Sequence, residues 1–216
     1  MADQVMDDGA RRPEYVDACR RALIAQVALA LNPLSLVATC CLALGLPVLE
    51  EVTGTPPIST LLLSQVSFVV AMLLMLATAV AFFAWLQRAR SNAHALTGEP
   101  PAHGSAFAIA VWLIPCANCW LPLTVVREVD RKSDPTRGGS PWLLGGWWVA
   151  YLAMHFAIGR LATAVDRRAM GLWFFAWVAS ALVAATLAIL VIRRIQKNQI
   201  ALVTRADAHA IAAEFA

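Results

Sequence analysis

Residues 104–126 read GSAFAIAVWLIPCANCWLPLTVV, a stretch without a single Asp, Glu, Lys or Arg. Whether it crosses a membrane decides how the rest of the chain is threaded. By length it qualifies, since a helix needs roughly 20 apolar residues to cross about 30 Å of hydrocarbon. By its prolines it does not. Pro115 and Pro122 each remove a backbone N–H and press on the carbonyl four residues back, at about 3 kcal/mol apiece inside a helix. The carbonyls so freed would be those of Val111 and Asn118, and lipid has no donor for them. Irregular backbone at membrane depth survives only when it is buried in protein or borders water. The stretch is therefore expected to dip into the membrane or lie at its surface, with the Asn118 side chain available to a freed carbonyl.

Working outward, four more stretches carry no acidic or basic residue and are mostly apolar: 22–49, 52–87, 138–159 and 169–192. Of the 216 residues 60% are apolar and 14% charged, and mean hydropathy is +0.65. Soluble domains carry about 25% charge, so these runs read as membrane helices. The expected fold is all-α, a polytopic membrane bundle of about four spanning helices plus a Pro-broken re-entrant or interfacial segment. Spans are expected at about 33–49, 58–86, 142–159 and 170–192, within a membrane domain covering 22–192. The first begins only after Asn32-Pro33, because proline disfavours helical geometry in the residue before it. That leaves 22–31 as an interfacial or kinked lead-in. Residues 1–21 form a polar segment whose mixed acids and arginines do not match the short basic start of a signal peptide. Residues 50–57 are a turn-rich loop and 127–141 a charged connector. The tail 193–216 has Ile195, Leu202, Ala206 and Ala210 at helical spacing and is expected to be an amphipathic helix.

Basic residues gather on the cytoplasmic side of membrane proteins. If all five stretches crossed, the 17 Lys and Arg residues would divide 9 against 8. If 104–126 does not cross, they divide 14 against 3. The second threading puts both termini in the cytoplasm, together with the broken segment and its charged connector.

Several runs then fall into a pattern: WLQRARSNAHAL at 85–96, WLIPCANCWLP at 112–122 followed by Arg127-Glu128, RKSDP at 131–135, Trp147-Trp148, and IRRI at 192–195. In this order and spacing they resemble the bacterial membrane-protein family known as domain of unknown function 4328, over roughly residues 52–199. The resemblance implies a small bacterial inner (plasma) membrane protein of about four helices, and no activity. The chain departs from the family pattern at Cys116 and Cys119, where plain apolar residues are usual, and at Val129-Asp130, where an aromatic is expected.

Candidate sites follow from the same segment. Pro115, Asn118, Pro122, Arg127, Glu128, Arg131 and Asp134 form the motif in which function would be localised. Arg127 and Arg131 are read first as lipid anchors on the same side as the other cations; the sharper alternative pairs either of them with Glu128, Asp130 or Asp134, packing the segment over the bundle and forming a headgroup or anion pocket. Arg88, Arg90, Lys132 and Arg137 are expected to face lipid headgroups, where each cation near an anionic surface contributes about 1 kcal/mol. Cys116 and Cys119 have the spacing of a redox pair but lack the strand–helix setting that depresses a thiolate pKa. With Cys19, Cys40 and Cys41 they read as small packing residues. Of His94, His103, His155 and His209, only His155 falls within an expected span, which makes it a weak ligand candidate. The eight tryptophans are read mainly as an interfacial belt.

No nucleophile elbow, phosphate loop or zinc motif is present in the sequence. No catalytic, cofactor-binding or metal residue is therefore assigned, and no cofactor is expected. The expected role is a non-enzymatic regulatory, scaffolding or assembly module with a cytoplasmic interaction face. A small transporter or channel component using 104–126 is the first alternative, since broken helices often line substrate sites. A membrane haem or redox protein is the second. Membrane lipids are expected partners, a membrane protein or a second copy of the chain is left open, and nucleic acid is not expected.

Overall fold

A computed structural model of the chain describes residues 14–54 and 57–214. The polar segment before Glu14, and Thr55-Pro56 of the expected loop, lie outside the described residues. Helices run over Cys19–Thr53 (α1), Pro57–Thr97 (α2), Ser105–Ala110 (α3), Leu121–Ser133 (α4), Pro141–Ala162 (α5) and Arg167–Glu214 (α6), with one 3₁₀ turn at Ala117–Cys119. The described residues contain no strand.

Helices α1, α2, α5 and α6 each contain a window long and apolar enough to span: Cys19–Leu42, Gln65–Thr97, Pro141–Ala162 and Arg168–Ala208. Only 11% of the windows in α1 and α2 is buried inside the molecule. A helix that is apolar all round must be covered by something, and here the protein does not cover it. Leu62, Phe68, Val69 and Leu76 on α2, and Leu172 and Phe175 on α6, all point outward. The molecule is an integral membrane bundle with four spanning helices, and residues 104–126 are not among them.

Two elements are longer than the sequence implies. Helix α1 runs unbroken through Asn32-Pro33, so its apolar window opens at Cys19 and no separate lead-in precedes it. Hydroxyls help to carry it past the proline: Thr78 Oγ1 donates to the Ala28 carbonyl at 3.2 Å and Ser35 Oγ to that of Asn32 at 2.7 Å. Such side chains are what make proline tolerable in membrane helices. The expected tail is likewise no separate helix, because α6 continues without interruption to Glu214.

The helices form two antiparallel hairpins, α1 with α2 and α5 with α6, and α1 also packs on α6. The turns at Gly54 and at 163–166 mark one end of the bundle. At the other end Val16 meets Asn92 and Gln26 meets Arg193. The chain therefore enters α1 and passes from α6 into its last turns at this same end, where 98–140 also folds. The packed core lies here too: Trp85, Leu86, Val111, Val126, Leu144 and Ile192 are at most 1% exposed.

Candidate functional site

The broken segment is a short helix, a run of turns and an amphipathic helix. Helix α3 ends at Ala110, and Asn118 N–H donates to the Ile114 carbonyl at 2.8 Å across the Pro115 turn. Pro122 sits in the first turn of α4, a position where its missing N–H costs nothing. It therefore starts a helix and frees no carbonyl upstream. Asn118 does not serve a freed carbonyl either; its Nδ2 donates to the Tyr151 hydroxyl at 3.2 Å. Trp148 Nε1 donates to the Cys119 carbonyl at 3.0 Å and its ring stacks on Tyr151. The turns are thus held by α5.

Helix α4 buries Pro122, Val125, Val126, Val129, Asp130 and Ser133, one stripe at helical spacing. Two of those positions are polar, and their partners come from α6. Arg194 Nε donates to Asp130 Oδ1 at 3.1 Å, and its Nη2 to Asp134 Oδ2 at 2.5 Å. Asp130, 1% exposed, also accepts the Ser140 N–H at 2.6 Å. Thr136 donates to Asp134 through both its N–H and its hydroxyl. Those two bonds lead, with the Arg194 charge adding, in holding the Asp134 carboxyl below the ordinary carboxylate range. Glycine is favoured at 139: its φ is +66°, and a Cβ there would press on Asp130 Oδ2 at 3.0 Å.

A second polar node is fully buried. Gln199 Nε2 donates to the Ala89 carbonyl and to Ser133 Oγ, at 2.8 and 2.9 Å. Its Oε1 faces Asn92 Nδ2 at 3.5 Å. Asn92 in turn pairs with both backbone groups of Val16. One cluster thereby joins the entry to α1, the end of α2, α4 and α6.

The alternative pairings are corrected by this geometry. Among the described residues neither Arg127 nor Arg131 forms an ion pair, and both are exposed. Asp130 and Asp134 pair with Arg194 instead. Glu128 pairs with Lys132 at 2.9 Å and accepts the Ala102 N–H at 2.8 Å. Burial works to raise the Glu128 pKa, but the Lys132 bond, the Ala102 N–H and the charges of Lys132 and Arg90 outweigh it and hold the carboxyl low.

Two of the expected lipid-facing cations turn inward. Arg90 is 4% exposed and donates to the His103 carbonyl and to Gln87 Oε1. Lys132 donates to the Pro100 carbonyl at 2.7 Å, strapping the 99–102 loop to α4. Arg137 is exposed and pairs with Glu99 at 2.6 Å, while Arg88 is half-buried. His155 is exposed, with Nδ1 2.8 Å from the Tyr151 carbonyl one turn back, and no metal-holding group of side chains occurs among the described residues. Cys116 and Cys119 are exposed free thiols. The tryptophans divide: Trp142 and Trp120 face outward, whereas Trp85, Trp147 and Trp148 are buried beside Phe82 and Trp112.

Sequence reasoning missed Arg194, Gln199, Asn92 and Tyr151. Arg194 and Asn92 lie inside the quoted runs IRRI and WLQRARSNAHAL, and a polar residue within an apolar period was the available signal.

Beneath the broken segment, between the hairpins, lies a cavity of about 670 Å³ bordered by α1, α2, α5 and α6. It is open to the outside, and Trp112 and the exposed Leu113 line it on the side of the broken segment.

A family model described as Domain of unknown function (DUF4328) matches residues 59–197. No curated protein and no solved structure matches the chain.

Proposed function

The chain belongs to the DUF4328 family, and from that premise we propose that it is a non-enzymatic membrane module, a regulatory, scaffolding or assembly subunit. Its interaction face is the polar end, turned to the cytoplasm with both termini. The observation that carries this reading is a segregation of charge. Glu128, Asp130 and Asp134 all spend their carboxylates inward, on Lys132, on Arg194 and on backbone N–H groups. Arg127, Arg131, Arg193 and Lys197 stay exposed. The outer surface of α4 and the adjoining turns of α6 are therefore basic although their sequence is mixed. Such a face suits an anionic partner, either acidic protein surface or headgroups. The 14-to-3 division of basic residues supports the cytoplasmic assignment, and the shallow turns of 111–120 are read as re-entrant.

Two measurements test this. In a cysteine-free variant, Arg131→Cys should react with a membrane-impermeant maleimide in inverted vesicles and not in intact cells; the opposite result overturns the orientation. Purification of the tagged chain from its native membranes should retain a partner in fixed ratio, released by the Arg127→Glu, Arg131→Glu double variant. A chain that elutes alone overturns the module reading.

A further inference from the structure

Helix α4 has two faces. One is the buried stripe described above. The other carries Trp120, Thr124, Arg127 and Arg131, all exposed and spaced so that they line up along one side of the helix. Its two arginines form no ion pair among the described residues, because Glu128, Asp130 and Asp134 are spent on Lys132 and Arg194. Four residues apart on one face, their Cβ atoms lie about 6 Å from each other. That spacing lets two guanidinium forks meet on one phosphate.

Two hydrogen bonds to α5 fix the height of this face. At its upper end Asp130 accepts the Ser140 N–H just ahead of α5, and a Cβ at Gly139 would meet Arg131 Cα at 3.8 Å. At its lower end Trp148 Nε1 donates to the Cys119 carbonyl, and Trp148 lies about 10 Å along α5 from Pro141. Helix α4 thus climbs about 10 Å beside α5, and Arg127, within one turn of Asp130, stands close to the level of the α5 start. Helix α5 has 22 residues, about 33 Å, little more than the thickness of the hydrocarbon layer. Its first turn therefore lies where hydrocarbon meets headgroups. Trp142, in that turn, is 91% exposed, which is the placing of an interfacial anchor.

The same heights decide what covers the face. Below Arg127, Trp120 is exposed on the same stripe, and Leu113 and Ile114 point outward from the turns before it. Apolar side chains exposed at that depth adjoin acyl chains. A phospholipid in this place brings its headgroup up to Arg127, whereas an acidic protein would first have to displace it.

We propose that Arg127 and Arg131, with Trp142 at the same level, hold the phosphate of an anionic phospholipid whose acyl chains run down beside Trp120. A zwitterionic lipid offers the same phosphate, but its choline cation is repelled by the two arginines, so the site prefers a headgroup without a cation. The proposal rests on the basic face read above and names the occupant of its α4 part. It does not depend on a protein partner: a chain that shows the lipid preference yet elutes alone keeps this site and loses the module reading, and the reverse result does the opposite.

The test uses the full chain, cysteine-free except for a fluorophore-labelled Thr124→Cys, in phosphatidylcholine–phosphatidylglycerol vesicles. Either lipid carries a nitroxide quencher high on its acyl chain. A second label at Leu62→Cys, outward-facing on α2 near the 50–57 loop that has no Lys or Arg, reports lipid away from the site. Labelled phosphatidylglycerol should be enriched over labelled phosphatidylcholine at 124 and not at 62. Each arginine near the surface is worth roughly fivefold in local enrichment, so Arg127→Gln should reduce the preference at 124 by about that factor and Arg127→Gln, Arg131→Gln should abolish it. Both side chains are exposed and unpaired, so the fold is kept; the wild-type contrast between 124 and 62 is a second readout that needs no arginine variant. Equal quenching by the two lipids at 124, or a preference that survives the double variant, would overturn the proposal and leave the face to an acidic protein.

Discussion

The two halves of this molecule are held together by different physics. At the polar end, helices, loops and buried side chains interlock, and Trp85, Leu86, Val126 and Ile192 are removed from any solvent. In the half toward Gly54 and the 163–166 turn, side chains such as Leu62, Phe68 and Leu172 point away from the protein. The first half excludes water by packing. The second leaves that task to lipid. The difference teaches that a membrane protein with few charges can place most of its internal stabilisation at one end.

Truncating the same residue type in each half gives the largest contrast. Leu86→Ala, in the core, should cost about 3 kcal/mol through lost packing and a residual void. Leu172→Ala, 65% exposed, should cost under about 0.5 kcal/mol, because lipid fills the vacated space. Thermal unfolding in a mild detergent checks both, and equal losses would erase the distinction between the halves. Next comes Arg194→Met. It leaves Asp130 buried without its cation, and a broken buried pair costs about 3–5 kcal/mol. Arg194 itself is a third exposed, so about 2 kcal/mol is expected, together with faster proteolysis at 134–140. Gln199→Leu removes donors from the Ala89 carbonyl and from Ser133 Oγ and should cost about 1–2 kcal/mol.

The smallest effect is acid loosening of the polar half. The folded pKa values of Glu128 and Asp134 are depressed. Their contribution is therefore complete above the unfolded values near 4 and is lost as pH falls through the lower folded ones. Hydrogen exchange in α4 should rise between about pH 4 and pH 2, with little change in the outer turns of α2. An α4 unaffected by acid would show that these carboxylates do not hold it.

Composition and charge made the membrane half legible. Four spans, and one apolar stretch too broken to be a fifth, follow from Pro115 and Pro122 and from the distribution of arginines. The polar half was less so, because its partners are distant in sequence. Nothing local to Asp130 distinguishes Arg131, which faces outward, from Arg194, which reaches it across the bundle. Arg90 looks like any juxtamembrane cation until the loop at His103 folds back over it. Pro33 reads as a break because hydroxyls on neighbouring turns and on α2 cannot be assigned before the helices are docked. The tail past Ile192 looks detachable because charge marks a membrane boundary without ending a helix.

That last point has a mechanical consequence. Helix α6 is a single rod from Arg167 to Glu214, gripped part-way along by Asp130 and Asp134 at Arg194 and by Asn92 and Ser133 at Gln199. At 1.5 Å per residue, about 40 Å of it lies on the membrane side of Arg194 and about 30 Å on the other. A rod held at an intermediate point is a lever, and the grip is its fulcrum. If the rod moves as a rigid body, a lateral displacement of its membrane arm against α5 and α1 swings the opposite arm the other way, through about three quarters of the distance.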